Sequence, residues 1–428
     1  MNAPALAMDA LAGAVAALPR DRLTPQRLAA LEHLRAHGLP TTRLEDWKYT
    51  DLTPAIEISN RWLAAKREPV LAESVAAKIA EVRTNIDAHW LVIANGIIDG
   101  QALADAADDG FDVRLLSAGD AQLGFDAPLA DFNTALLRDG LRITVLPGAT
   151  PRKPIGLLLI DETVADAEVV QARIEIEIGA NATASFVEYH LSSGSAGHFS
   201  NVVTNLALAD HARADYVRLQ RRSLDHTQTN RLFVAQARDS ILNHCAFDLG
   251  GQMIRNDLHI DIAGPGASSV FNGLYLGGSG QHIDNHTRID HRVGPATSRQ
   301  EYRGVLTANA RCIWNGKAIV HAGADGTDAE QANHNLLLSR GAEIDAKPEL
   351  EIYADEVKCS HGTTVGQLDE TALFYLRSRG IGHDDAVQIL TRAFAASIVG
   401  KISVDTLNEI IGSMVEGRLG VLIEAGNK

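Results

Sequence analysis

The sequence predicts a mainly β chain built around a β-solenoid, with helical regions before and after it. Three observations carry that expectation. Between residues 151 and 366, short runs with apolar residues two apart recur, among them "RIEIEIGANATASF", "HIDIAGPGASSVF" and "LEIYADEVKCS". No long amphipathic helix interrupts them, and small residues with Asn, Asp and Gly stand between runs, where very short strands need corners. Helical periodicity is confined to the two ends. A flat β-sandwich is the competing arrangement.

Taken in order, the first twenty residues are rich in Ala and Leu but lack a basic start and carry Asp9, so they read as a helix and not a signal peptide. Thr24 and Pro25 mark an N-cap and first-turn proline; Leu28, Leu31 and Leu34 follow at near-helical spacing until Gly38 and Pro40 stop the run. Within these mostly helical 85 residues, "RLEDWKYTDL" (Arg43 to Leu52) combines aromatic and charged groups beyond what helix propensity explains. "LVIA", Asn95-Gly96 and "II" predict two strands joined by a tight hairpin. A small mixed segment then runs to about 150, where Pro147, Pro151 and Pro154 punctuate a boundary. The expected organisation is a mainly helical region with a small mixed segment over 1–150, the β-solenoid core over 151–366 and a helical region over 367–428. In the last region Val387, Leu390, Phe394 and Ile398 form one stripe, and Leu407, Ile410, Ile411 and Met414 another. Two such helices would cap the open edge of a solenoid and offer a docking face.

Bulk properties narrow the function. The 428 residues carry 39 basic and 54 acidic side chains, a formal charge of −15, which gives no footprint for gripping nucleic acid or an anionic membrane. Cys245, Cys312 and Cys359 are odd in number and far apart, so they form no disulfide framework and fit a reducing cytoplasm. The longest uncharged apolar runs, such as "IGLLLI", fall far short of the roughly 20 residues that cross a bilayer.

The stretch "YADEVKCSHGTTVG" (Tyr353 to Gly366) sets Cys359 and His361 two residues apart. In a strand they share a face with Val357, roughly 7 Å from each other, too far for a direct hydrogen bond but near enough to reach one metal ion or cluster. Packing like Val357, with a satisfied imidazole, is the plain alternative. No third group for a nucleophilic Cys-His arrangement is evident locally. Cys and His are ligands for iron and zinc, and a cluster normally needs four, so a chain offering two would leave the others to come from elsewhere, at a subunit interface. A second polar concentration, "QHIDNHTRIDH", puts His282, Asp284, His286 and Asp290 on one strand face and His291 on the other; a solvated face is the expectation. "LGGSGQ" lacks the Lys-Ser/Thr of a phosphate loop and reads as a turn.

The run "HNLLLSRGAEIDAKPELEIYADEVKCSHGTTVGQLDETALFYLRSRGI" (His334 to Ile381) resembles the C-terminal core signature of the SufB/SufD family of iron-sulfur cluster assembly. "QHIDNHTRIDH" with "SRQEYRGVL" is similar to an upstream stretch of the same family, and "EDWKYTDL" looks like its SufD branch. The resemblance implies a right-handed parallel β-helix core flanked by helical regions. It also implies a non-catalytic, cytoplasmic scaffold subunit of a SufBCD complex, pairing with a SufB-like paralogue and binding a SufC-like ABC-type ATPase. Sulfur would come from a cysteine desulfurase, and a transient iron-sulfur cluster would be shared with the partner subunit, with none held tightly by the isolated chain, which could be a homodimer. His361, and more weakly Cys359, would be ligands at the partner interface. Phe374, Tyr375, Leu376, Arg377 and Arg379 would begin the region that meets the ATPase, packing on the chain's own solenoid being the alternative.

Two rival functions remain at this stage. A polysaccharide-acting β-helix enzyme would need paired carboxylates or a calcium-supported base in an exposed groove. A mononuclear metalloenzyme would use the His282 region.

Overall fold

The structure, a computed structural model, describes residues 4–65, 73–98, 109–116, 127–162, 167–193 and 197–426. Parts of the mixed segment expected before residue 150, namely 99–108 and 117–126, lie outside the described residues. The N-terminal helical periodicity folds as α1 (Met8–Ala17), α2 (Thr24–His37), α3 (Thr53–Ala65) and α4 (Glu73–Asn85). Pro25 lies in the first turn of α2, and Gly38, with φ of 68°, ends it in a conformation that suits glycine.

The expected hairpin is β1 (His89–Ala94) and β2 (Ile97–Ile98), turning through Asn95 and Gly96, both at positive φ. β3 (Phe111–Leu115), α5 (Pro128–Leu136) and β4 (Leu141–Val145) follow. Then comes strand after strand, with no helix among the described residues: β5 (Ile155–Glu162), β6 (Ala167–Ile178), β7 (Thr183–Ser193), β8 (Gly197–Leu208), β9 (Arg213–Arg221), β10 (His226–Gln236), β11 (Ile241–Asp248) and β12 (Met253–Ile262). The series continues through β13 (Ser268–Gly277), β14 (His282–His291), β15 (Thr297–Leu306), β16 (Arg311–Val320), β17 (Asp328–Leu337), β18 (Glu343–Ile352) and β19 (Lys358–Gly366). Three helices close the chain: α6 (Glu370–Ser378), α7 (His383–Val399) and α8 (Asp405–Gly426).

Odd-numbered strands from β5 to β19, with β1 and β2, make one sheet, and even-numbered strands from β4 to β18, with β3, make the other. Neighbours from β4 and β5 onward are parallel, and each strand pairs with the one a full coil later, 29 residues on at Met253↔His282 and 32 at Arg311↔Glu343. That alternation is a parallel β-solenoid and excludes the sandwich, in which chain neighbours would pair antiparallel. The sheets also reach before residue 151, because β1 pairs with β5 and β4 with β6.

Corners repeat as the strands do. Asn181, His211 and Asp239 take left-handed backbone conformations (φ of 60°, 59° and 52°) and Gly266 follows at 78°. The amides of Asn181, His211 and Asp239 donate to the carbonyls of Asp210, Arg238 and Pro265 one coil later, so the corners stack as a ladder. Asn, Asp and Gly tolerate this conformation best, which is why they punctuate the strands in the sequence.

Side chains alternate between the lumen and the outer faces. Leu157 and Leu159 of β5 pack in the lumen with Ile174, Phe186 and Tyr216, while Leu158 and Ile160 pack outside with Val92 and Val187. Both faces are covered, so "IGLLLI" reads as an unbroken apolar run. The outer face of the even-numbered sheet is covered by α1, α2, α3 and α5, and that of the odd-numbered sheet by α4, α7 and α8.

The terminal helices therefore do not cap the open edge as expected. They lie along the outer face of the odd-numbered sheet, where Ala395, Ile398, Leu407 and Ile411 meet Cys245, Leu274, Val305 and Leu336. This outer face is apolar and demands cover; the last coil, β18 and β19, is left bare.

Candidate functional site

Residues Cys359 and His361 stand on β19, the edge strand of its sheet. Their parallel partners are Ala329 and Gln331, which are buried and face the lumen. Traced back through the registers, His361 ends a lumen-facing column that runs Tyr216, His244, Phe271, Gln300, Gln331. The shared face expected for Cys359 and His361 is thus the mouth of the solenoid's interior. His361 is exposed there and Cys359 is half-buried. Partial burial pushes the Cys359 thiol up, and nearby Asp328 adds to the rise, so it is a protonated thiol at neutral pH. Ligation by Cys359 would have to release that proton.

Among the described residues, no group of three or more His, Cys, Asp or Glu side chains is arranged to hold a metal ion. The mouth offers at most two ligands from this chain. Around it Ile352, Tyr353 and Val365 are large, apolar and exposed. Sequence reading did not single them out. The signal was present: Ile352 and Val365 continue lumen-facing columns for which no later coil supplies cover.

Beside the mouth, α6 starts at Asp369, whose carboxylate accepts a hydrogen bond from the Thr371 amide at 2.9 Å. No residue of α6 is buried. Phe374 is 73% and Tyr375 57% exposed, Leu376 is half-buried, and Arg377 and Arg379 are exposed. The Arg379 guanidinium lies 5.2 Å from the Tyr375 ring centre. The alternative that these side chains pack on the solenoid does not hold for Phe374 and Tyr375.

The "QHIDNHTRIDH" strand is not the solvated face expected. Asp284 is fully buried, 2.6 Å from Arg255 and 3.1 Å from His286. The Thr50 hydroxyl donates to Asp284 and accepts from His282 Nε2 at 2.8 Å. Arg255 also pairs with Asp257 at 2.7 Å, donates to the Asp46 carbonyl at 2.9 Å and sits 4.4 Å from the Trp47 ring centre. Burial alone would raise the Asp284 carboxyl, but Arg255 and His286 outweigh it and hold it well below the usual range. "RLEDWKYTDL" is therefore a clamp that closes over this strand face, and the polar residues beneath answer its polar atoms. His291, on the opposite side, donates to or accepts from Ser298 Oγ inside the lumen at 3.0 Å. Asp284, Arg255, Thr50, His282 and His286 engage one another, and among the described residues no three ligating groups here are arranged to hold a metal ion.

"LGGSGQ" is the turn between β13 and β14, as expected; the Gly278 amide donates to Gln281 Oε1 at 2.8 Å.

The family described as "SUF system FeS cluster assembly, SufBD core domain" matches residues 161–394, which span most of the solenoid and run into α7. The chain is similar to the iron-sulfur cluster assembly protein SufD of Escherichia coli (strain K12), at 32% identity over 92% of this chain and 93% of that protein. It is similar to the iron-sulfur cluster assembly SufBD family protein slr0076 of Synechocystis, at 29% identity over 90% of this chain and 88% of that one. The chloroplastic protein ABCI7 of Arabidopsis thaliana is 25% identical over 96% of this chain and 90% of its own. A two-sheet parallel solenoid with a bare terminal coil, a match over more than half the chain and full-length relatives lead to one assignment: this chain belongs to the SufB/SufD family of SUF-system iron-sulfur cluster assembly proteins.

Proposed function

We propose that this chain is a non-catalytic scaffold subunit that pairs with a SufB-like paralogue through β18 and β19. On this reading His361 supplies part of the coordination shell of a nascent iron-sulfur cluster at the joint, with Cys359 the weaker second donor. The observation that carries the reading is His361 itself, an exposed imidazole on an edge strand, paired on one side only, at the solenoid mouth. Exposed edge strands are templates for pairing with another chain, and the apolar rim of Ile352, Tyr353 and Val365 adds area that water would leave. With two donors of its own, the chain needs a companion to complete four ligands. In isolation, the same edge would serve a homodimer.

The exposed Phe374 and Tyr375, flanked by Arg377 and Arg379, support α6 as the docking point of a SufC-like ABC-type ATPase. ATP hydrolysis would then occur in that partner and act on this chain by moving the joint. Sulfur would arrive from a cysteine desulfurase by way of the assembled complex. The setting proposed is the cytoplasm; no helix among the described residues is long and apolar enough to cross a membrane.

The test is anaerobic cluster reconstitution on the co-purified complex, read by visible absorption. His361→Ala should leave subunit stoichiometry and melting temperature unchanged, because the ring is exposed, while cluster yield falls several-fold. Unaltered yield with an intact complex would remove the role from His361.

A further inference from the structure

A cavity of about 360 Å³ lies on the helical side of the even-numbered sheet, far from the β19 edge. Its walls come from α1, from α3 through Trp62 and Leu63, from the Asn95-Gly96 turn, from Leu136 of α5 with Arg138 after it, and from β6 through Glu168, Val169 and Gln171. The space follows from the sequence of α1. Leu11 and Val15 anchor that helix in the core it shares with α2 and α3. The residues turned to the cavity, Ala10, Gly13, Ala14 and Ala17, are too small to fill it. A β-carbon added at Gly13 would meet nothing within 4 Å.

One group in this wall is unanswered. Gln171 is 6% exposed, and neither its amide oxygen nor its amide nitrogen has a hydrogen-bond partner. Leaving a buried donor and acceptor unpaired is costly, so a native fold retains such a pair where something supplies the bonds. The rest of the wall joins aliphatic side chains, among them Leu18, Leu63, Leu136 and Val169, to the ionisable Asp9, Arg138 and Glu168, and Trp62 is its one aromatic side chain. Apolar walls interrupted by polar groups occur in small-molecule sites, and the volume falls in their range.

We infer that this cavity binds a small ligand that sets a carboxamide or lactam edge against Gln171 and a flat apolar body against Trp62 and α1. An amide edge offers one acceptor and one donor, the complement of what Gln171 presents. The site is independent of the cluster reading, since none of its residues lies on β18, β19 or α6.

The experiment titrates the full chain with naphthalene-2-carboxamide and with 2-acetonaphthone, which keeps the acceptor but lacks the donor, by saturation-transfer NMR and tryptophan fluorescence. The native chain should bind the carboxamide roughly three- to tenfold more tightly than the ketone, the worth of one neutral hydrogen bond. Gln171→Leu should bring the two probes to equal affinity. Gly13→Leu should abolish binding of both while melting no lower than the native chain, since leucine outranks glycine in a helix. Binding of neither probe to the native chain would mean a cavity that holds water only and would overturn the inference. So would equal native affinity for the two probes, or binding unchanged in Gly13→Leu.

Discussion

Replacing Asp284 by asparagine should release the clamp at residues 43–52 while leaving the solenoid paired. The side chain keeps its shape and can still accept from Thr50, so the change isolates the charge. Arg255, 2% exposed beneath Trp47, would keep Asp257 and the Asp46 carbonyl but lose its buried counter-ion. Removing one partner of a buried pair costs about 3–5 kcal/mol when the survivor has nothing else. With Asp257 retained and partly solvated, roughly half of that remains, about 2 kcal/mol. Opening of the clamp lets water reach Arg255, so the cost falls on the closed state alone. Three amides report on it: Trp47, Lys48 and Thr50 donate to the carbonyls of Leu44, Glu45 and Trp47. Their hydrogen exchange should quicken about 30-fold, the factor that corresponds to this energy. Amides of β14 and β16 should change far less. Acceleration below threefold at 47, 48 and 50 would refute the claim that the Arg255–Asp284 pair holds the clamp.

The same carboxylate gives a pH signature: its folded pKa is depressed, so its stabilisation is full above the unfolded value of about 4 and is lost as pH falls below it. Acid should therefore loosen residues 43–52 in the native chain, and Asp284→Asn should flatten that dependence in exchange measured between pH 5 and 3. Trp314→Ala, at a fully buried lumen position, should cost about 3–5 kcal/mol, seen as a lower urea midpoint with coils β14 to β18 least protected. In the folded chain a thiol reagent should label one cysteine, Cys359, because Cys245 and Cys312 are buried and burial drives both thiols well above their usual range; Cys359→Ser should remove the native reaction, and denaturant should expose all three. Phe374→Ser combined with Tyr375→Ser should leave the melting temperature within a degree or so and weaken ATPase capture by tenfold or more, if these rings anchor that interface.

Much of the fold was legible because the solenoid writes its period into the chain. Runs such as "IGLLLI" announce strands covered on both faces, and Asn, Asp and Gly mark corners that need left-handed backbone. The shared face of Cys359 and His361 followed from strand parity alone, and what the chain resembles pointed to its importance. Parity could not say whether that face was lumen or surface; the registers Ala329↔Cys359 and Gln331↔His361 decide it. The destination of the terminal helices was illegible for a similar reason. A stripe through Phe394 and Ile398 declares that something apolar is covered, and only the tertiary structure says that it is Leu274 and Val305 instead of the open end. The clamp was the hardest to foresee. Thr50 and Asp284 are 234 residues apart, and a polar alternation such as "HIDNH" reads the same whether water or another polar segment lies above it.

Because every coil adds one strand to each sheet, the solenoid also works as a ruler. Adjacent strands stand about 4.8 Å apart, and sheets turn by roughly 20–25° per strand. One strand of the odd-numbered sheet, β17, separates β15, on which α7 rests, from the strand that bears His361. Deleting or inserting a whole coil between them would keep the packing rules intact yet carry the imidazole nearly 5 Å and a fraction of a turn away from its station beside the terminal helices. Coil number, more than any single side chain, sets the distance between α7 and the edge strand β19.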